Sequence, residues 1–161
     1  MAPASWDPLP HAPIRMVLGL LEHLKEVPGQ REDLYKLGGP LGYELDDLLP
    51  VTEAAKRLGL VKVAAGDIEL TADGKKVAAA EEPERKARLG KRMKTLPLIA
   101  AIHDAVVAGE GRAPRQGFAE RLGEHFSGSE SERQLATAVE WGRYGELFDF
   151  DPDAEEFMRA P

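Results

Sequence analysis

The chain contains no cysteine. That removes disulfide staples, thiolate nucleophiles and cysteine-ligated zinc or iron–sulfur centres, and it fits a reducing cytoplasm. No run approaches the roughly 20 apolar residues that a membrane span needs. The first 13 residues hold four prolines and no positively charged segment, so they read as an extended arm rather than a signal peptide. No Gly-x-x-x-x-Gly-Lys-Ser/Thr loop occurs; the glycines at 38, 39 and 42 lack the Lys and Ser that would follow, which excludes a phosphate-cradling loop of that kind. The four histidines, His11, His23, His103 and His125, form no i, i+4 pair and no cluster. They read as structural or surface groups rather than metal ligands. Basic charge is also short. The formal net charge of −7 argues against gripping nucleic acid, which needs Lys and Arg to displace counterions from phosphates.

What is present is an ordinary globular mixture, 43% hydrophobic and 30% charged over 161 residues, enough for one domain or two very small ones. Pro13 is well placed to open a helix from Ile14 to about Lys25, with Ile14, Val17, Leu18, Leu21 and Leu24 on one face. Val27-Pro-Gly29 stops it. A short helix is expected over Glu32–Leu37, ended by Gly38-Gly-Pro40. A third helix covers about Leu45–Leu58, with Leu48, Leu49, Ala55 and Leu58 inward and Gly59 as its stop; Pro50 requires an irregular first turn or a start at that residue. The period then changes to two. Leu60–Val63, a turn at Ala65-Gly66 and Ile68–Leu70 predict a β-hairpin, and Thr71 caps the helix that follows. Three helices, a two-stranded wing and a helix make the winged-helix order.

Pro83–Thr95 predicts a charged helix, and Leu96–Val107 another, with Leu98, Ile99, Ile102 and Val106 on one face. Gly109–Pro114 reads as a turn. The remainder repeats the first half in outline: Gly117–Gly123, then a helix over Ser129–Tyr144, then strands near Gly145–Phe150 and Glu156–Met158. The expected class is mainly α with small β-hairpins (α+β), as two tandem winged-helix-like units packed as one compact domain. Its parts are an arm (1–12), a first unit (13–80), a basic connecting helix (81–96) and a second, degenerate unit (97–161).

Between 85 and 94 six cations, Arg85, Lys86, Arg88, Lys91, Arg92 and Lys94, occur without one carboxylate. A solvated face beside Glu81, Glu82 and Glu84 is the plain explanation. The sharper one is a docking strip for an acidic protein surface, lipid headgroups or nucleic acid, with Asp67 at the wing as a second contact. Asp149, Asp151, Asp153, Glu155 and Glu156 lack the central Gly and ordered spacing of a calcium loop. No nucleophile with a base, carboxylate pair, metal or cofactor loop is visible, so neither catalytic residues nor cofactors are expected.

The most informative stretch is Gln134–Asp151. It reads as a helix carrying Leu135, Val139 and Gly142 on one side and Trp141 and Tyr144 on another. It runs directly into an alternating strand with Phe148 and Phe150. Trp141 and Tyr144, three apart, fit a core stripe, and Arg143 is placed to pair with Glu140, Glu146 or Asp149 and so hold helix to strand. Trp141-Gly-Arg-Tyr144 with Phe148, together with Gly19–Leu24, Asp46–Pro50 and the Gly66–Gly74 wing exit, resembles the AAA-associated C-terminal domain family. The resemblance spans Pro13 to about Asp151.

The family's longer members carry this domain behind the ATPase of ABC importers for nitrate, sulfonate and bicarbonate, and others are free-standing, as this chain would be. The resemblance implies a non-catalytic accessory or regulatory module. Its partner would be the ATPase subunit of such a transporter or a second copy of itself, in the cytoplasm or peripheral at the inner membrane through a transporter complex, without insertion. The alternative is a winged-helix DNA-binding transcriptional regulator. Against it, the third helix opens with Glu44, Asp46 and Asp47, the wrong sign for a phosphate backbone.

Overall fold

The computed structural model describes residues 7–161, so part of the expected arm, residues 1–6, lies outside the described residues. The chain is mostly helical with two small antiparallel sheets, the α+β class expected. It divides into two compact units. Pro10–Leu89 forms one; Gly90–Pro161, with the described residues up to Leu9, forms the other.

In Pro10–Leu89, helix α1 (Ile14–Glu26) buries Ile14, Val17, Leu20, Leu21 and Leu24, the i, i+3, i+4, i+7 stripe of a core-facing helix. Leu18, expected inward, is half-buried, and Leu20 takes the core position. The short helix expected over Glu32–Leu37 is replaced by strand β1 (Arg31–Asp33) and one 3-10 turn (Leu34–Lys36). Asp33 accepts the Tyr35 N–H at 2.8 Å to start that turn. The reason is long-range: β1 pairs antiparallel with a strand 36 residues away, Arg31 opposite Glu69 and Asp33 opposite Asp67. Pairing satisfies backbone groups that an isolated six-residue helix would leave open.

A four-residue turn of helix, α2 (Gly38–Leu41), precedes α3 (Leu45–Arg57), which contains Pro50. Leu48, Val51, Ala54 and Ala55 of α3 are buried, whereas Leu49, expected inward, is 49% exposed. Strands β2 (Val61–Ala64) and β3 (Asp67–Leu70) form the expected hairpin. Ala65 and Gly66 at its turn have φ of 54° and 83°, the paired positive values that match the right-handed twist of the flanking strands. Thr71 Oγ1 accepts the Gly74 N–H at 3.0 Å and donates to the Gly59 carbonyl at 2.7 Å, fixing the start of α4 (Ala72–Ala79). The sheet order is β1-β3-β2.

Helix α5 (Glu82–Met93) spans the boundary at Leu89 and Gly90. In the Gly90–Pro161 unit, α6 (Pro97–Ala108) buries Leu98, Ile99, Ile102 and Val106, as its periodicity predicts. Gly109–Pro114, expected as a turn, includes strand β4 (Arg112–Pro114). Its proline is tolerated because β4 is an edge strand with no ladder partner on its outer side. Helices α7 (Arg115–Gly123) and α8 (Gly128–Tyr144) follow, the latter capped by Ser127 accepting the Glu130 N–H at 3.1 Å. Strands β5 (Asp149–Asp151) and β6 (Glu156–Met158) complete a sheet of order β4-β6-β5. Helix, strand, helix, helix, strand, strand, with the third strand central, thus describes α6–β6 and, with α2 and α3 as the middle helices, α1–β3.

Aromatic side chains fill this second core. Trp141, Phe148 and Phe157 are fully buried and Phe118 nearly so. The arm is fastened to the same unit: the Leu9 N–H donates to Gln134 Oε1 at 2.7 Å and Gln134 Nε2 donates to the Leu9 carbonyl at 3.1 Å. Gln134 is 1% exposed and Leu9 2%. A buried primary amide therefore holds both main-chain groups of one residue.

Candidate functional site

The motif residues of α8 have structural roles. Trp141 lies fully in the core and Tyr144 is half-buried. Arg143 Nε donates to Asp149 Oδ1 at 2.7 Å, and its Nη2 lies 2.6 Å from the same oxygen. This is the helix-to-strand pair expected from the sequence, with Asp149 chosen over Glu140 and Glu146. Burial pushes Asp149 up, but the bonds from Arg143 and from the Phe150 N–H outweigh it and hold the carboxyl below its ordinary range. A lowered folded-state value means a contribution present above the unfolded aspartate pKa and lost as pH falls through the folded one. Arg143→Met should cost about 1 kcal/mol or less at neutral pH, since Arg143 is more than half exposed. Urea midpoints measured from pH 7 down to about pH 3 should show wild type and variant converging in acid.

The basic strip is less uniform than its sequence suggests. Arg85 has only 12% of its side chain exposed. It donates to the Val77 and Ala78 carbonyls at 3.1 Å each and to Glu22 at 3.0 Å. Those carbonyls belong to the last turn of α4, so Arg85 caps a helix and is withdrawn from the surface. Arg88 pairs with Glu84 one turn back at 2.6 Å. Lys86 and Arg92 are half-buried, while Lys91 and Lys94 are exposed. Leu89 and Met93 are fully buried. At the wing, Asp67 faces Arg31 at 3.2 Å, a cross-strand pair between β3 and β1.

The acidic stretch near the second sheet is satisfied from within. Arg112 Nη1 donates to Asp151 Oδ2 and Glu156 Oε1 at 3.0 Å each, tying all three strands together. These two hydrogen bonds raise Arg112 above its ordinary value, and the bond from Arg112 lowers Asp151. Asp151 Oδ1 also accepts the Asp153 and Ala154 N–H groups at 3.0 and 3.2 Å, a side-chain-closed turn. Among the described residues no group of three or more His, Asp or Glu is arranged to hold a metal ion. No helix among them is long and apolar enough to cross a membrane.

Two arrangements were not legible in the sequence. His23 Nε2 and Glu32 are 2.9 Å apart, linking α1 to β1, while its sequence neighbour Glu22 pairs with Arg85; His103 Nδ1 is 3.9 Å from Asp104, too far for a hydrogen bond. The signal for His23 would have been a strand at Arg31–Asp33. The second is a groove of about 500 Å³ within the Gly90–Pro161 unit. Leu135, Ala136 and Val139 of α8 and Phe150 and Pro152 beside the β5–β6 turn supply its apolar lining; Arg115, Glu132 and Glu155 supply its charged groups. These residues come from three separate segments, each unremarkable alone.

The family model described as the C-terminal AAA-associated domain matches residues 35–151. No curated protein and no solved structure matches the chain.

Proposed function

Because the chain belongs to the C-terminal AAA-associated domain family, we propose that it is a non-catalytic accessory module that docks on the ATPase subunit of an ABC-type importer for nitrate, sulfonate or bicarbonate and biases its state. The family membership carries this reading. It is supported by the lack of a phosphate-binding Gly-Lys-Ser/Thr loop in the sequence. An accessory domain acts by contacting one state of its partner better than another.

We read each unit as winged-helix-like, which the recurring order of elements and the central third strand favour. Used as a contact module, such a unit offers its helices and wing, and the fold alone does not decide the partner. The exposed cations Lys91 and Lys94 suit an acidic partner surface. Leu45 and Leu49, 55% and 49% exposed one turn apart on α3, suit an apolar one. Duplex DNA fits less well: Asp46 and Asp47 occupy the exposed first turn of α3, and Lys62 at the wing lies 3.8 Å from Glu69.

Purified transporter ATPase lacking its own C-terminal extension should capture the protein. The double reversal Lys91→Glu/Lys94→Glu, or Leu45→Asp/Leu49→Asp, should weaken capture at least about tenfold, a typical loss for removing a central contact. Capture unchanged by both pairs would remove these surfaces. Absence of capture, together with salt-sensitive micromolar retention of random duplex, would overturn the reading itself.

A further inference from the structure

The groove in the Gly90–Pro161 unit has the chemistry of a site. Its volume, about 500 Å³, falls in the range of pockets that enclose small ligands. We propose that it binds a small monocarboxylate with an apolar body, whose carboxylate takes the Arg115 guanidinium that Glu132 occupies in the structure.

Three observations select this ligand class. First, the cation is the more buried charge. The Arg115 side chain is 21% exposed, whereas its partner Glu132 is 65% exposed, and Glu155 is an exposed residue. Second, the main chain of Arg115 is anchored. Its N–H donates to the Glu155 carbonyl at 3.0 Å, so the start of α7 and the turn between β5 and β6 are locked together under the groove. A guanidinium fork matches a planar carboxylate through two parallel hydrogen bonds. Third, Glu132 shows that a carboxylate reaches this guanidinium: its Oε1 accepts one bond from Arg115 Nη2 at 2.5 Å, and that bond holds its carboxyl below the ordinary range.

Glu132 projects from the first turns of a helix into solvent, and exposed pairs of this kind are weak. Exchanging one carboxylate for another keeps the ion pair and adds burial of the ligand's apolar body against Leu135, Val139 and Phe150. An amine would meet the guanidinium head-on and gain only the two exposed carboxylates.

The full chain titrated with octanoate, octylamine and octanol, followed by calorimetry and by the methyl resonances of Leu135 and Val139, tests this. Octanoate should bind and shift those methyls in preference to the amine and the alcohol. Glu132→Gln removes the internal competitor and should tighten octanoate about threefold, the worth of an exposed pair. A merely structural Arg115–Glu132 pair would give no gain or a loss. Arg115→Gln should weaken binding at least about tenfold, as loss of a charged hydrogen-bond partner does. Ala136→Trp fills the groove from an exposed turn, leaves the Arg115–Glu132 pair intact and should abolish binding; it decides the matter if Arg115→Gln does not fold. Equal or tighter octylamine binding, no octanoate binding at millimolar concentration, or binding indifferent to Arg115→Gln in a folded protein would overturn the proposal.

Discussion

Replacing Phe157 with alanine is expected to lower the unfolding free energy by about 3–5 kcal/mol, the usual cost of truncating a buried aromatic side chain. Phe157 is fully buried on β6, the middle strand of its sheet. Its ring meets Phe118 edge-on with centroids 5.5 Å apart, Phe148 at 5.8 Å, and Phe150 tilted at 5.5 Å. Aromatic pairs at these separations contribute about 0.5–1.5 kcal/mol each beyond area burial. Three neighbours therefore lose contact at once, and they come from α7, from the segment before β5, and from β5. Small domains hold only about 5–15 kcal/mol in total, so the urea midpoint should fall sharply with little change in slope. A loss below about 1 kcal/mol would mean that the aromatic cluster does not organise this core.

Gly142→Ala is the second large effect, and its sign is the informative part. In a helix interior, alanine is ordinarily preferred to glycine by about 1 kcal/mol. Here a Cβ would stand 2.4, 2.5 and 2.9 Å from three ring atoms of Phe148, well inside contact distance. Phe148 is fully buried, so its ring has no solvent-side space in which to retreat. Overpacking of this kind costs about 1–3 kcal/mol, occasionally more, and a net loss of about 2 kcal/mol is expected by chemical denaturation. A double variant with Phe148→Leu should recover part of it, because the two positions share one space. Stabilisation by Gly142→Ala alone would contradict this packing.

The same contact explains why Trp141-Gly-Arg-Tyr144 was legible in the sequence. Trp141 needs the core, Gly142 makes room for Phe148, and Arg143 reaches Asp149, so the motif encodes one local corner between α8 and β5. The main helices and the wing were legible for the same reason: their periodicity, caps and turn residues act within about ten positions. Strands β1 and β4 were not. Each is three residues long and is a strand because a central strand far along the chain offers it hydrogen bonds, which no local pattern records. The site followed that rule. The run Arg85–Lys94 looked like a continuous cationic face, yet Arg85 is drawn beneath the end of α4 by two carbonyls whose position depends on packing. The role of Arg115 was not legible because its groove partners come from α8 and from the β5–β6 turn.

In both sheets the central strand is the third in chain order, so neither edge strand has a backbone partner until the third is made. A ribosome delivering this chain would release β4 and β5 as unpaired segments and then close both ladders in one event when Phe157 and its neighbours emerge. A chain ending just before Glu156 should therefore leave the unit open to proteases, and the chain carried through Pro161 should be protected.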